Sequence, residues 1–370
     1  AVKNLPTQDF YFASRELNQV RWGNSGNGGI YYRALAEASN GSMLIPDLIM
    51  LRMNRGSIKY EVGTDDPRLP VIAAGFTPTG SATDVEYYGV SGNYMRNILV
   101  ATDDPDRKGY SLAGEPVRKN IFPQDGQSRP TRNATRIINP SVVTPDEYVQ
   151  GIAWSYYNPI TYFLGEIPFP IETLAEVDLY LAEVALKNLA STGKSAGDHV
   201  QDAVLHSIDW WYMMNGSGPE TYVTDRVPFG DLAKAILKPA KNESAATQFA
   251  GIIKAEFDAA AGEEDKMEII MQQKYVHLNR NGAYELFAEL RRTRHPKLEP
   301  ISSFAQGVLN GAPALNNATM PFERYRYPTS EQTNNKEEFA KVAADDNWTT
   351  PIFWANKASE SHFLSKALKD

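Results

Sequence analysis

Between Ile171 and Pro296 the apolar positions recur every three or four residues, the spacing that gathers side chains on one face of an α-helix. Leu174, Val177, Leu181, Val184 and Ala185 form the first stripe. It opens on Thr173-Leu-Ala-Glu176, the spacing of a capping box in which hydroxyl and carboxylate each satisfy an orphan backbone N–H, and Gly193 follows its end. Val200, Val204, Ser207, Trp211 and Met214 form a second stripe, closed by Asn215-Gly216. Phe249, Ile252, Ile253 and Phe257 form a third, Met267, Ile270, Met271 and Leu278 a fourth, and Ala283, Phe287 and Leu290 a fifth. Amphipathic helices in such close succession pack as antiparallel neighbours, in a bundle or an array of helical hairpins.

The first part of the chain is patterned differently. Gly, Pro, Asn and Asp crowd stretches such as Trp22 to Gly29 and Thr77 to Ser81, which mark turns and loops. Only Tyr31 to Ala38 and Ile45 to Met53 carry helical spacing there, and Glu86 to Val90 reads as a short strand or loop edge. The expectation is a mainly α chain with a loop-rich part over 1–158 and a helical part over 159–370, joined as one composite domain. Beyond His295-Pro296 the texture is loop-like again and ends in a polar tail.

Composition narrows the chemistry. With 37 Lys+Arg against 45 Asp+Glu, the net charge of -8 argues against nucleic acid, whose binding rests on clustered cations. There is no Cys, which removes disulfides, thiolate zinc sites and a cysteine nucleophile. No uncharged apolar run reaches the roughly 18 residues of a membrane-spanning helix. Ala1 to Asp9 lacks the basic and apolar pattern of a signal peptide. No cofactor and no metal are expected: the five His occupy no His-Glu-x-x-His pattern, and Asp103-Asp-Pro-Asp106 reads as an acidic turn rather than a calcium loop.

Aromatic residues make up 11% of the chain, with 19 Tyr and 6 Trp. Trp154, Tyr156 and Tyr157 sit with Asn158 just before Pro159, a loop-like setting in which ring faces and an amide suit a sugar. Tyr87 and Tyr88 form a second group and Trp210, at the edge of the second stripe, a third, while Trp211 continues that stripe. Each ring can also anchor a core, the favoured reading for Trp210 and Trp211. Arg291 and Arg292 stand where a helix ends and cations cap carbonyls. Glu166, Glu172 and Glu176 permit a glycosidase reading, although Glu176 already has a capping task.

Three segments, in order, resemble the SusD/RagB-like family, in its branch of SusD-like, starch-binding, outer-membrane-associated lipoproteins. They are Ile171 to Val184; Ile270-Met-Gln-Gln-Lys-Tyr-Val-His-Leu278 through Asn281-Gly282 to Leu290-Arg-Arg-Thr-Arg-His-Pro296; and Arg324-Tyr-Arg-Tyr-Pro-Thr-Ser-Glu331 followed by Asp345-Asp346 and Pro351-Ile-Phe-Trp354. The resemblance implies a tetratricopeptide-like helical-hairpin scaffold carrying a large irregular ligand-binding portion. It implies capture of an oligosaccharide or a peptide without catalysis, beside a SusC-like TonB-dependent transporter at the outer-membrane cell surface. It also implies further N-terminal helices and a lipid anchor ahead of Ala1, the anchor being the only membrane contact. A secreted helical glycoside hydrolase and a helical scaffold without a small ligand are the alternatives that the residues leave open.

Overall fold

The computed structural model describes residues 5–12, 45–55, 59–75, 85, 87, 155–162, 168–217, 238–297 and 323–347. The order of elements is β1 (Phe10–Phe12), α1 (Asp47–Met53), α2 (Leu69–Ile72), β2 (Ala73–Ala74), β3 (Tyr156–Tyr157), α3 (Pro159–Tyr162), β4 (Phe169–Glu172), α4 (Leu174–Leu186), α5 (Ala196–Gly216), α6 (Glu243–Ala259), α7 (Glu263–Leu278), α8 (Ala283–Thr293), α9 (Thr329–Asn334) and α10 (Lys336–Val342). The chain is mainly α, and the antiparallel pairs β1–β4 and β2–β3 are short.

Helix starts follow from local chemistry. Thr173 and Glu176 close the expected capping box on α4, and Ser195 with Asp198 closes a second one on α5. Asp9 adds a carboxylate oxygen 2.8 Å from the N–H of Leu174, so the residue before β1 also caps α4 while Tyr11 pairs with Pro170 on β4. Asn242 caps α6 through the N–H of Ala245 at 3.0 Å. The α4 helix ends before Gly193: Asn188 turns to φ 53° and Leu189 donates back to the Val184 carbonyl.

Polar pairs fix the directions of the helices. Lys254 on α6 reaches Asp198 at the start of α5, while Lys241 just before α6 reaches Asp209 near its end, so α5 and α6 run antiparallel. Lys274 on α7 bonds Glu289 on α8, and His295 beyond α8 bonds Glu268 earlier on α7, which makes the second hairpin antiparallel. Thr173 at the start of α4 meets His277 at the end of α7. The result is a series of antiparallel helical hairpins.

The 21-residue α5 is the shared spine. Val200, Val204 and Ile208 pack with Leu179, Phe249, Ile253, Phe257 and Ile270 in one cluster. Trp210, Trp211 and Met214 pack with Met53, Leu69, Ile72, Tyr162 and Val276 in another, which draws residues from both sides of position 158. The second and fourth stripes are buried as the spacing predicts. On α4 Leu181 is buried as the stripe predicts, but so are Ala175, Leu179 and Ala182, while Leu174, Val177 and Val184 are only half-buried. This helix packs against both α5 and α7, so small residues take the tight side and a one-sided stripe misplaces the face.

Between the two clusters lies a charged group that no stripe announces. Arg68 is 0% exposed, and its guanidinium donates to Asp66 at 2.6–3.0 Å, to Ser207 on α5 at 2.9 Å and to Gln273 on α7 at 2.7 Å. Ser207 continues the chain to Nδ1 of His277 at 2.8 Å, and Nε2 of His277 reaches Thr173 Oγ1 at 2.7 Å. Thr173 spends its hydroxyl hydrogen on Glu176 at 2.8 Å, so His277 carries its proton on Nε2 and accepts from Ser207 on Nδ1. Burial, aided by the Arg68 and Lys274 cations, holds His277 neutral with its pKa lowered to about 3.

Replacing Arg68 by Met keeps much of the stem but leaves Asp66 as a buried charge without its counter-ion. Urea unfolding of Arg68→Met is expected to show a loss of about 3–5 kcal/mol; a loss below about 1 kcal/mol, the range of an exposed pair, would refute the role given to this residue. His277 sets a pH dependence. Between about pH 3 and the unfolded value near 6.5, the unfolded chain binds the extra proton, so stability is full above 6.5 and falls on acidification by up to about 1.4 kcal/mol per pH unit. His277→Gln removes this term, and its stability deficit relative to the parent should narrow from pH 7 to pH 4.5. Parallel curves for the two proteins would contradict the assignment.

Candidate functional site

Where β4 leads into α4, the ends of α5 and α7 and the turn into α8 come together around a cavity of about 290 Å³. Trp210 on α5, 2% exposed, is part of its lining, and Tyr11 of β1 meets that indole edge-on at 5.7 Å. Carboxylates contribute three further positions: Glu172 from β4, Glu176 from the first turn of α4 and Glu285 from the first turn of α8. The turn that delivers Asn281 and Glu285 is tight, because a Cβ on Gly282 would lie 2.7 Å from that of Leu278.

The electrostatics are those of a partly desolvated acidic pocket. Burial raises the pKa of Glu172, reinforced by the like charge of Glu176; burial also raises that of Glu176, against the hydrogen bonds from Thr173 that lower it. The Tyr180 hydroxyl donates to Glu285 at 2.9 Å, and burial followed by that bond pushes its pKa up. Under the Tyr180 ring lies the buried ammonium of Lys274, 3.9 Å from the centroid, which also bonds Glu289 at 3.1 Å. Around this pocket apolar side chains stay in water. Ile171 and Tyr180 of the lining are exposed, as are Phe10 and Tyr11 on the strand paired with β4 and Tyr284, 84% exposed, beside Glu285.

Of the sequence candidates that fall among the described residues, Trp210, Glu172 and Glu176 line this cavity. Tyr157 is a core residue: it packs edge-on against Tyr162 at 4.8 Å and donates to Asn279 at 2.8 Å, and burial raises its pKa. Tyr87 is buried in the same cluster. Asn158 is fully buried and structural, accepting from the N–H of Ile160 at 3.0 Å as a cap does and donating to the Pro70 carbonyl. These three are therefore not an exposed platform: all are buried, and the polar atoms of Tyr157 and Asn158 are engaged by backbone and core partners. Trp154, Tyr88, Glu166 and Asp103 to Asp106 lie outside the described residues, as does the side chain of Tyr156. Arg292 clamps Glu183 at 2.6–2.7 Å, and Arg291 lies over the Phe287 ring while donating to the Glu323 carbonyl, so both serve the scaffold.

Sequence reasoning did not single out Tyr180 and Glu285 of the lining, Tyr11 against Trp210, or the exposed Tyr284 next to Glu285 in sequence. A signal existed for Tyr180, an aromatic residue standing off the first stripe, and for Tyr284, placed directly after the Asn281-Gly282 turn. Tyr11 had none, since only the pairing of distant strands brings it here. Apart from this cavity, Asp178, His199 and Asp202 bring metal-ligating atoms within 4.8 Å of one another.

No helix among the described residues is long and apolar enough to cross a membrane. No curated protein matches the chain. Among solved structures, a SusD homolog from Bacteroides uniformis is similar with a TM-score of 0.48 and 21% identity over 89% of this chain and 53% of its own. A SusD homolog from Bacteroides fragilis gives 0.43 and 18% over 79% and 49%, and a chitin-binding SusD homolog from Flavobacterium johnsoniae gives 0.33 and 19% over 57% and 39%. The chain thus spans about half the length of these structures or less. The family described as SusD and RagB outer membrane lipoprotein matches residues 149–355, a stretch that contains the helical hairpins, all of the residues lining this cavity and more than half of the sequence. The chain belongs to the SusD-like family of outer membrane lipoproteins.

Proposed function

We propose that this chain captures an oligosaccharide at the bacterial cell surface, holds it without turnover, and passes it to a SusC-like TonB-dependent transporter. The observation that carries the ligand class is the exposed aromatic side chains set around a carboxylate-lined cavity. Sugar rings offer C–H faces that stack on aromatic rings and hydroxyls that donate to carboxylates, and both partners are present here. A volume of about 290 Å³ is near the lower end of ligand cavities. It suits one residue of an oligomer, with the rest lying across Tyr11, Tyr180 and Tyr284. Membership of an outer membrane lipoprotein family supports the location, and the transporter is the partner that the family resemblance implies.

Binding without turnover fits the placement of the acids. Glu172 and Glu176 belong to one wall, where β4 enters α4, and Glu176 holds the N–H and hydroxyl of Thr173. A glycosidase needs two carboxyls flanking the scissile bond, with one free to move a proton. The three carboxylates also suit a peptide amine, which makes a peptide the second reading.

A screen of glycans and peptides, followed by calorimetry on the strongest ligand, tests the proposal. Tyr284→Ala and Tyr11→Ala should each weaken an oligosaccharide tenfold to a hundredfold, about 1–3 kcal/mol, with little change in melting temperature. Tyr157→Phe should lower the melting temperature and leave affinity unchanged. Full affinity in both rim variants, or new reducing ends released from the bound glycan, would sink the proposal, and binding confined to peptides would replace its ligand class.

A further inference from the structure

The α4–α5 hairpin holds a second cluster, independent of the cavity. His199, Asp202 and His206 stand at i, i+3 and i+7 on α5, the spacing that brings side chains onto one helix face, and Asp178 faces them from α4. His199 is 3% exposed, and neither of its ring nitrogens has a hydrogen-bond partner. Buried polar atoms are almost always paired, and an orphan costs about 1–3 kcal/mol, so this ring calls for a ligand.

The side chains around it can be drawn together into a coordination shell. The Nδ1 of His199 lies 3.5 Å from Oδ1 of Asp178. That is long for a hydrogen bond, and it matches neighbouring ligand atoms around a tetrahedral ion with bonds of about 2.0–2.1 Å. Asp202 completes a set whose ligand atoms all fall within 4.8 Å of one another. The other oxygen of Asp178 takes Nδ1 of His206 at 2.7 Å, the outer hydrogen bond by which a ligating carboxylate is commonly oriented. Lys194, largely exposed, pairs with Asp202 and can swing into water.

We propose that Asp178, His199 and Asp202 form a binding site for a divalent transition metal of the zinc class, oriented by His206, that pins α4 to α5. Two carboxylates balance the charge of the ion. The imidazole selects zinc, cobalt, nickel or copper over calcium and magnesium, which prefer all-oxygen shells.

The test uses untagged, chelator-treated protein titrated with zinc chloride. Calorimetry should give one zinc per chain, the melting temperature should rise with zinc and not with calcium or magnesium, and cobalt(II) should develop visible absorption. Asp202→Asn, at a half-buried position, should weaken zinc at least tenfold, and His206→Gln tenfold to a hundredfold by loss of the orienting bond. Because His199→Ala removes a buried ring and can unfold the chain, Asp202→Asn is the deciding variant, with its circular dichroism and zinc-free melting temperature as the check on folding. Absence of saturable zinc binding, binding unchanged in folded Asp202→Asn, or equal stabilisation by calcium overturns the proposal.

Discussion

A guanidinium that cannot reach water organises this protein. Arg68 is sealed between the two hydrophobic clusters, and its charge is tolerable only while Asp66, Ser207 and Gln273 stand at bonding distance. Those partners belong to the segment before α2, to α5 and to α7, so one side chain fixes the mutual register of three parts of the chain. Hydrophobic contact alone would allow them to slide, since it is not directional. Such an ion pair adds less to net stability than its Coulomb attraction suggests, because desolvation offsets much of the gain. Its consequence is positional.

That positional constraint runs on to the cavity. Ser207, bonded to Arg68, holds His277; His277 holds Thr173; Thr173 holds Glu176 on the cavity wall. From the other side, Lys274 binds Glu289, and Arg292 joins Glu289 to Glu183, tying α4, α7 and α8 together. The acidic pocket thus sits between two polar networks that share α4 and α7. Its carboxylates stand at the end of β4 and in the first turns of α4 and α8, while Tyr11 and Tyr180 remain exposed. A rigid polar floor with exposed aromatic residues suits recognition of an extended, hydroxyl-rich ligand.

The helical half was legible because its chemistry is local. The Thr173–Glu176 capping box, the α5 stripe from Val200 to Met214 and the α7 stripe from Met267 to Leu278 each depend on residues within a few positions. The family was legible for a related reason, since its motifs lie on those same helices and turns. The face of α4 was misread because the helix serves two neighbours, where small Ala175 and Ala182 are buried and larger Val177 and Val184 are not. The exposure of the candidate aromatic group was misread more deeply. Density of aromatics singled out Tyr157 and Asn158, yet burial depends on contacts distant in sequence, such as Tyr157 with Asn279. Tyr180 is marked only by standing off the first stripe, and Tyr11 carries no local mark, because β pairing alone brings it to the pocket. The Asp178–His199–Asp202 cluster was not read from the sequence, which led to an expectation of no metal, because it forms only where Asp178 on α4 meets α5.

The central claim is that ligand is held where β4, the start of α4 and the α7–α8 turn converge. Hydrogen exchange read by mass spectrometry, with and without the ligand identified by screening, addresses it without altering any residue. Slowed exchange on ligand addition is expected in residues 10–12, 169–180 and 277–286, with the α6 helix unchanged. Protection that falls elsewhere and leaves these three segments untouched would contradict the account.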